Sequence, residues 1–160
     1  MTTAAYLHRH AIPTALALLP PAMDTPNAWA MLLAIAYQES DCDARVQRKG
    51  PARSFWMFEP NGIKGVMTHA KSRDHAVDVL NVLAYTPWTV ADVHVAVTHN
   101  DVLAAAFARL LLWTDKAALP EQSNGLGAWR IYERVWRPGK PHIDRWPAAW
   151  SKAWEHVDGR

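Results

Sequence analysis

Ten apolar residues in a row, Ala28 to Tyr37, run straight into Gln38-Glu39-Ser40. Trp29, Leu32, Leu33, Ala36 and Tyr37 recur at helical spacing, and the positions between them, Ala30, Met31, Ala34 and Ile35, are apolar too. A helix that is apolar all round is buried all round. Thr25-Pro26 supplies an N-cap and a first-turn proline, so a central helix is expected from there to about Glu39.

Helical patterns dominate the rest of the chain. Thr14–Leu19 is expected as a short first helix, with Pro13 at its first turn. Residues 40–62 are polar and carry Gly50-Pro51 and Pro60-Asn61-Gly62, the composition of a connection. Within it "SFWMF" (54–58) predicts a short strand or extended segment. If that segment is extended, Phe55 and Met57 face one way and Trp56 and Phe58 the other. Further helices are expected at about Gly62–Thr68, Arg73–Tyr85, Val90–Val97 (capped by Thr89) and Asp101–Trp113. Leu126–Trp136 carries Trp129, Tyr132 and Trp136 on one face and ends at Pro138-Gly139. Pro147 opens a last helix with Trp150 and Trp154 one turn apart. The prediction is a mainly α protein, one compact domain over residues 1–160, with a small β-hairpin or extended segment near residues 50–60.

Composition narrows the function classes. Residues number 160, which suits one domain with one core. The net charge of +2 is too weak to argue for nucleic acid. A single cysteine, Cys42, excludes an internal disulfide, and without an adjacent histidine it suits a packed thiol better than a nucleophile. The scattered histidines make no ligand set, so neither a metal nor another cofactor is expected. No stretch has the ~18 apolar residues of a membrane span, so no insertion in a bilayer is expected. The first residues lack the pattern of a signal peptide, which predicts synthesis in the cytoplasm and delivery by other means. Nine tryptophans are many for this length; most must pack in a core, while some suit a groove.

Glu39 is the candidate for chemistry. Apolar neighbours desolvate its anion, and the negative end of the helix dipole opposes it. Both push its pKa up, and a carboxylic acid kept protonated near neutrality is the general acid of a glycosidase.

The residues that follow carry a resemblance. Glu39-Ser40 is followed by Gly50-Pro51-Ala52-Arg53, Phe55-Trp56, Phe58-Glu59, Gly65-Val66 and Thr68-His69, then "ARLLLWTD" at 108–115 and "WRPGKP" at 136–141. This ordered set resembles the lysozyme-like superfamily, in particular lytic transglycosylases and goose-type lysozymes, and most of all small bacteriophage or prophage proteins of that group. The resemblance covers residues from about 10 to 154. It implies a lysozyme-like domain acting on peptidoglycan glycan strands, at the bacterial cell wall or within a phage particle. The bond cut would be that between N-acetylmuramic acid and N-acetylglucosamine.

With the resemblance go expected site residues. Glu39 would be the general acid, and Glu59, beyond the aromatic segment, the best second carboxylate. Asp41 and Asp43 suit capping of the loop. Ser40, Ser54, Trp56, Met57, Phe58, Tyr37 and Arg53 are expected to meet substrate, with Trp113 a further groove candidate. Arg45, Arg48, Lys49 and Arg53 form a basic cluster suited either to carboxylates of the wall or to solvent. Lytic transglycosylases use one glutamate as acid and then as base toward the sugar's own 6-hydroxyl, leaving a 1,6-anhydro end. Two residues depart from the pattern: Ser54 stands where glycine is expected, and Met57 where glutamine is. These departures support the alternative, a catalytically weakened or inactive module with a structural or wall-binding role in a virion or secretion apparatus.

Overall fold

A computed structural model describes residues 1–159. The fold is mainly α, one compact domain without a strand among the described residues. In chain order the helices are α1 (Thr3–Tyr6), α2 (Ile12–Leu16), α3 (Pro26–Ser40), α4 (Pro60–Thr68), α5 (Arg73–Val82), α6 (Val90–Ala96), α7 (Asp101–Thr114), α8 (Gly125–Trp136) and α9 (Trp146–Asp158). No helix among the described residues is long and apolar enough to cross a membrane.

The central helix forms as its pattern requires. Thr25 accepts a hydrogen bond from the Ala28 N–H through its side chain, and Pro26 occupies the first turn of α3. Every residue from Ala28 to Ala36 is buried. The helix lies along α9 and against α7, itself buried over most of its length. α7 starts at the Asn100 cap and packs on α2, α4 and α5.

The first helix departs from expectation. It starts at Thr3, ahead of the expected Thr14, because α1 runs into a π turn at Leu7–Ala11 and on into α2. The Ile12 N–H bonds to the Leu7 carbonyl, one residue wider than an α turn. A wide turn just before Pro13 lets a helix continue past a ring that would otherwise clash with the preceding turn. α5 stops at Val82, short of Tyr85, where Ala84 takes a left-handed conformation.

Of the β-hairpin or extended segment expected near residues 50–60, neither a hairpin nor a strand is present among the described residues. Two isolated antiparallel bridges, Val46 with Arg53 and Arg53 with Phe58, stand in its place. Between the second pair the chain makes a turn in which Ser54 (φ 68°) and Met57 (φ 48°) are left-handed. That conformation destroys the period-two alternation. Phe55, Trp56 and Phe58 are all buried and Met57 alone is partly open.

Candidate functional site

A groove of about 1460 Å³ crosses the molecule between the end of α3, residues 44–62, and the face of α8 with the chain that follows it. Glu39 sits in its wall, with Ser40, Met57, Phe58, Glu59, Tyr132 and Trp136.

The end of α3 fixes Glu39. Asp41 and Cys42 are both left-handed, and their N–H groups turn back to the Tyr37 and Ala36 carbonyls. The chain therefore reverses one residue after Ser40. Tyr132 Oη donates to Glu39 Oε1 at 2.6 Å from the opposite wall. Burial pushes the Glu39 carboxyl above its ordinary pKa; the Tyr132 hydrogen bond and the Arg145 charge oppose that shift, and the Glu59 charge adds to it. The same contact, with burial foremost, holds the Tyr132 phenol firmly protonated.

The wall opposite α8 is a turn held from several sides. Ser40 Oγ lies 2.8 Å from the Phe55 carbonyl and 3.0 Å from that of Ala36, so its hydrogen serves either. Trp56 Nε1 donates to the Leu32 carbonyl inside α3. Trp136 Nε1 donates to the Trp56 carbonyl, and His94 Nε2 lies 2.9 Å from that of Phe58. The Ser40 and Trp56 bonds tie the turn to the helix that carries Glu39, and the Trp136 and His94 bonds tie it to α8 and α6.

Several expected site residues lie elsewhere. Trp56 and Ser54 have no exposed surface and do not border the groove. Trp56 is core, and the Ser54 hydroxyl accepts from the Trp56 N–H at 3.3 Å. Tyr37 faces α9, where its hydroxyl meets His156 Nε2 at 3.1 Å and Lys152 lies over its ring. Arg53 and Trp113 are absent from the groove wall. Arg53 Nε is buried without a hydrogen-bond partner among the described residues, and Trp113 lies under the guanidinium of Arg109. Phe58 borders the groove but is 2 % exposed, its ring packed on Trp136. Met57 and Ser40 do border it, as does Glu59, which is exposed at the start of α4 with no hydrogen bond to its carboxylate among the described residues.

The basic cluster also comes apart. Arg45 makes a two-pronged bond to Asp101 at 2.8 and 2.9 Å, with its guanidinium 4.3 Å from the centre of the Phe55 ring. Only Arg48 of the four borders the groove. Asp41 lies on the rim and caps the end of α3. Cys42 is buried, and burial pushes its thiol up to about 12.

Sequence spacing gave no hint of the Glu39–Tyr132 contact, which joins residues 93 apart. The signal available was the shared face of Trp129, Tyr132 and Trp136, which suits core packing equally well. Trp146 does stack on Tyr132, and Trp129 packs on it at a tilt, with ring centres 5.2 Å away in each case. Arg145 carried no signal at all.

No family model matches the chain, and neither a curated protein nor a solved structure matches it.

Proposed function

We propose that this protein is a glycosidase that cuts peptidoglycan glycan strands, with Glu39 as general acid. The observation that carries this reading is one carboxyl, desolvated, hydrogen-bonded through one oxygen and set in the wall of the large groove. Tyr132 engages Oε1 and leaves the other oxygen to carry the proton. That proton passes to the glycosidic oxygen as the C–O bond breaks. The resulting carboxylate is then favoured by the Tyr132 hydroxyl and the Arg145 charge, and it is fit to act as base.

A single-carboxylate route, of the lytic transglycosylase kind, suits the arrangement best. Glu59 borders the groove without a side-chain hydrogen bond to orient it among the described residues, whereas a nucleophile or base needs fixed geometry. The protein would meet its substrate at the cell wall, as part of a phage particle or delivered beside one.

The deciding experiment incubates wild type and Glu39→Gln with purified peptidoglycan and identifies soluble products by mass spectrometry. Anhydro-ended fragments from wild type alone support the proposal; reducing ends from wild type alone would make it a hydrolase. No release by wild type between about pH 4 and 8, the range open to a raised carboxyl, sinks the enzyme reading. The second reading, a non-catalytic wall-binding module, is favoured by Met57, a thioether with only weak acceptor capacity at a place where a sugar needs hydrogen bonds. It predicts binding of glycan fragments without release.

A further inference from the structure

The chain between α8 and α9, residues 137–145, forms one rim of the groove beside Glu39. It is held in place at its middle. Gln38, the buried neighbour of Glu39, donates through Nε2 to the His142 carbonyl at 2.9 Å. Pro138 and Pro141 stiffen the segment, and a short 3₁₀ turn at Ile143–Arg145 closes it. Arg137 takes a left-handed conformation (φ 50°) to leave α8, which starts the segment along the rim.

Its cations have no ion-pair partner among the described residues. Arg137, Lys140 and Arg145 all border the groove and are exposed. Arg48 borders it from the other side. None of the four makes a side-chain hydrogen bond or ion pair among the described residues, unlike Arg134, which Asp115 engages at 2.7 and 3.0 Å. The groove's unpaired acids other than Glu39 are Asp41 and Glu59, both on the α3–α4 side. Asp144 lies on the same turn as Arg145 but does not border the groove. One wall of the groove is therefore basic, and the Arg145 charge is felt at Glu39 itself.

An uncharged sugar chain has no use for such a wall. Resting on the glycan-cleaving reading above, we infer that residues 137–145, with Arg48 opposite, bind carboxylates on the peptide stems of the glycan strand. The groove thus selects stem-bearing strands over uncharged ones. Free cations along a rim act as a short-range attraction for an anionic side branch and weaken with salt. The anion must come from a branch, because on this reading the sugar backbone passes Glu39 while the cations line the rim. Arg145 is left out of the test below because it tunes the acid.

The test separates this inference from the parent reading. Glu39→Gln protein is titrated with soluble stem-bearing strands and with an uncharged N-acetylglucosamine oligomer of equal length. Stem-bearing strands should bind about tenfold tighter, a preference in keeping with a few exposed ion pairs, and the preference should shrink as salt is raised. Adding Arg137→Gln and Lys140→Gln should bring the two affinities within about twofold. If circular dichroism shows that pair unfolded, Lys140→Gln with Arg48→Gln carries the same test. Equal binding of the two glycans, or a preference that survives the substitutions, overturns the inference. So does a single-stranded oligonucleotide bound as tightly and weakened by the same changes, because the rim would then be a general polyanion surface. Failure of wild type to release products, with the binding preference intact, would instead count against Glu39 chemistry.

Discussion

At the scale of the residue, everything turns on the carboxyl of Glu39. Glu39→Gln should lower turnover by about 10²- to 10⁴-fold, the usual contribution of a positioned acid. Glu59→Gln should cost less than about tenfold if one carboxylate suffices; a loss equal to that of Glu39→Gln in initial-rate assays would restore Glu59 as a partner. Removing the Tyr132 hydroxyl removes the bond that favours the Glu39 anion. Tyr132→Phe should therefore move the alkaline limb of the pH–rate profile to higher pH, and a limb that stays put would mean that Tyr132 acts only in packing. Stability gives a second reading of the same group. A carboxyl whose folded pKa is raised binds its proton more tightly in the native state, so its contribution favours folding at low pH. That contribution is lost as pH rises from the unfolded value through the folded one. Glu39→Gln should therefore melt at about the same temperature as wild type near pH 4 and higher than wild type at pH 7. A melting difference that does not grow with pH contradicts burial of the acid.

Ser54 raises the same kind of question. Glycine is expected there by resemblance, and the left-handed φ of 68° gives a physical reason for the expectation. Serine in that conformation is strained by roughly 1 kcal/mol, and its hydroxyl recovers only a long bond to the Trp56 N–H. Ser54→Gly should stabilise the protein by about 0.5–1 kcal/mol in urea denaturation; a fall in stability would show that the hydroxyl outweighs the strain. Ser54 is buried, so this departure concerns the stability of the groove wall, and Met57 is the departure that meets the groove.

At the scale of the element, the apolar stretches were legible and the connections were not. Ala28–Tyr37 and "DVLAAAFARLLLW" form α3 and α7 because a helix with no polar face has only the interior to occupy, whatever its neighbours. The caps at Thr25 and Thr89 act locally and were readable for that reason. The turn at 54–57 was not readable. Its aromatic run has strand propensity, but its conformation is set by bonds from Ser40, Trp136 and His94, from three other parts of the chain. The first helix failed differently. A proline inside it ordinarily marks a boundary, and only the π turn before Pro13 removes the clash.

At the scale of the whole molecule, the connection opposite α8 is pinned to the core by Arg45 and Asp101. Asp101 is almost wholly buried at the start of α7, whereas Arg45 is nearly half exposed. Arg45→Ala leaves the carboxylate with only the Tyr6 hydroxyl beside it and should cost about 2 kcal/mol, below the figure for a fully buried pair because water reaches the arginine side. Thermal denaturation at neutral pH checks it; a loss under about 0.5 kcal/mol would show that the Tyr6 hydroxyl and the helix-start position together satisfy the charge. Of the proposed site, Glu39 was legible because its own helix creates its environment. Tyr132 and Arg145 were not, since only tertiary structure brings them to it.

The aromatic rings behind Tyr132 have a consequence for light. Trp146 is stacked on Tyr132 at 5.2 Å and on Trp150 at 6.1 Å, and Trp150 meets Trp154 edge-on at 5.8 Å. Trp136 stands at the groove end of the row, 6.4 Å from Tyr132 and itself in the groove wall. Excitation absorbed by Tyr132 passes downhill to the tryptophans on either side of it, Trp136 and Trp146. Tyr132 therefore feeds a ring that stands in the groove wall. If the groove takes a glycan as proposed, a sugar laid against Trp136 should change the colour and intensity of that ring's emission, so that occupancy can be followed without any label.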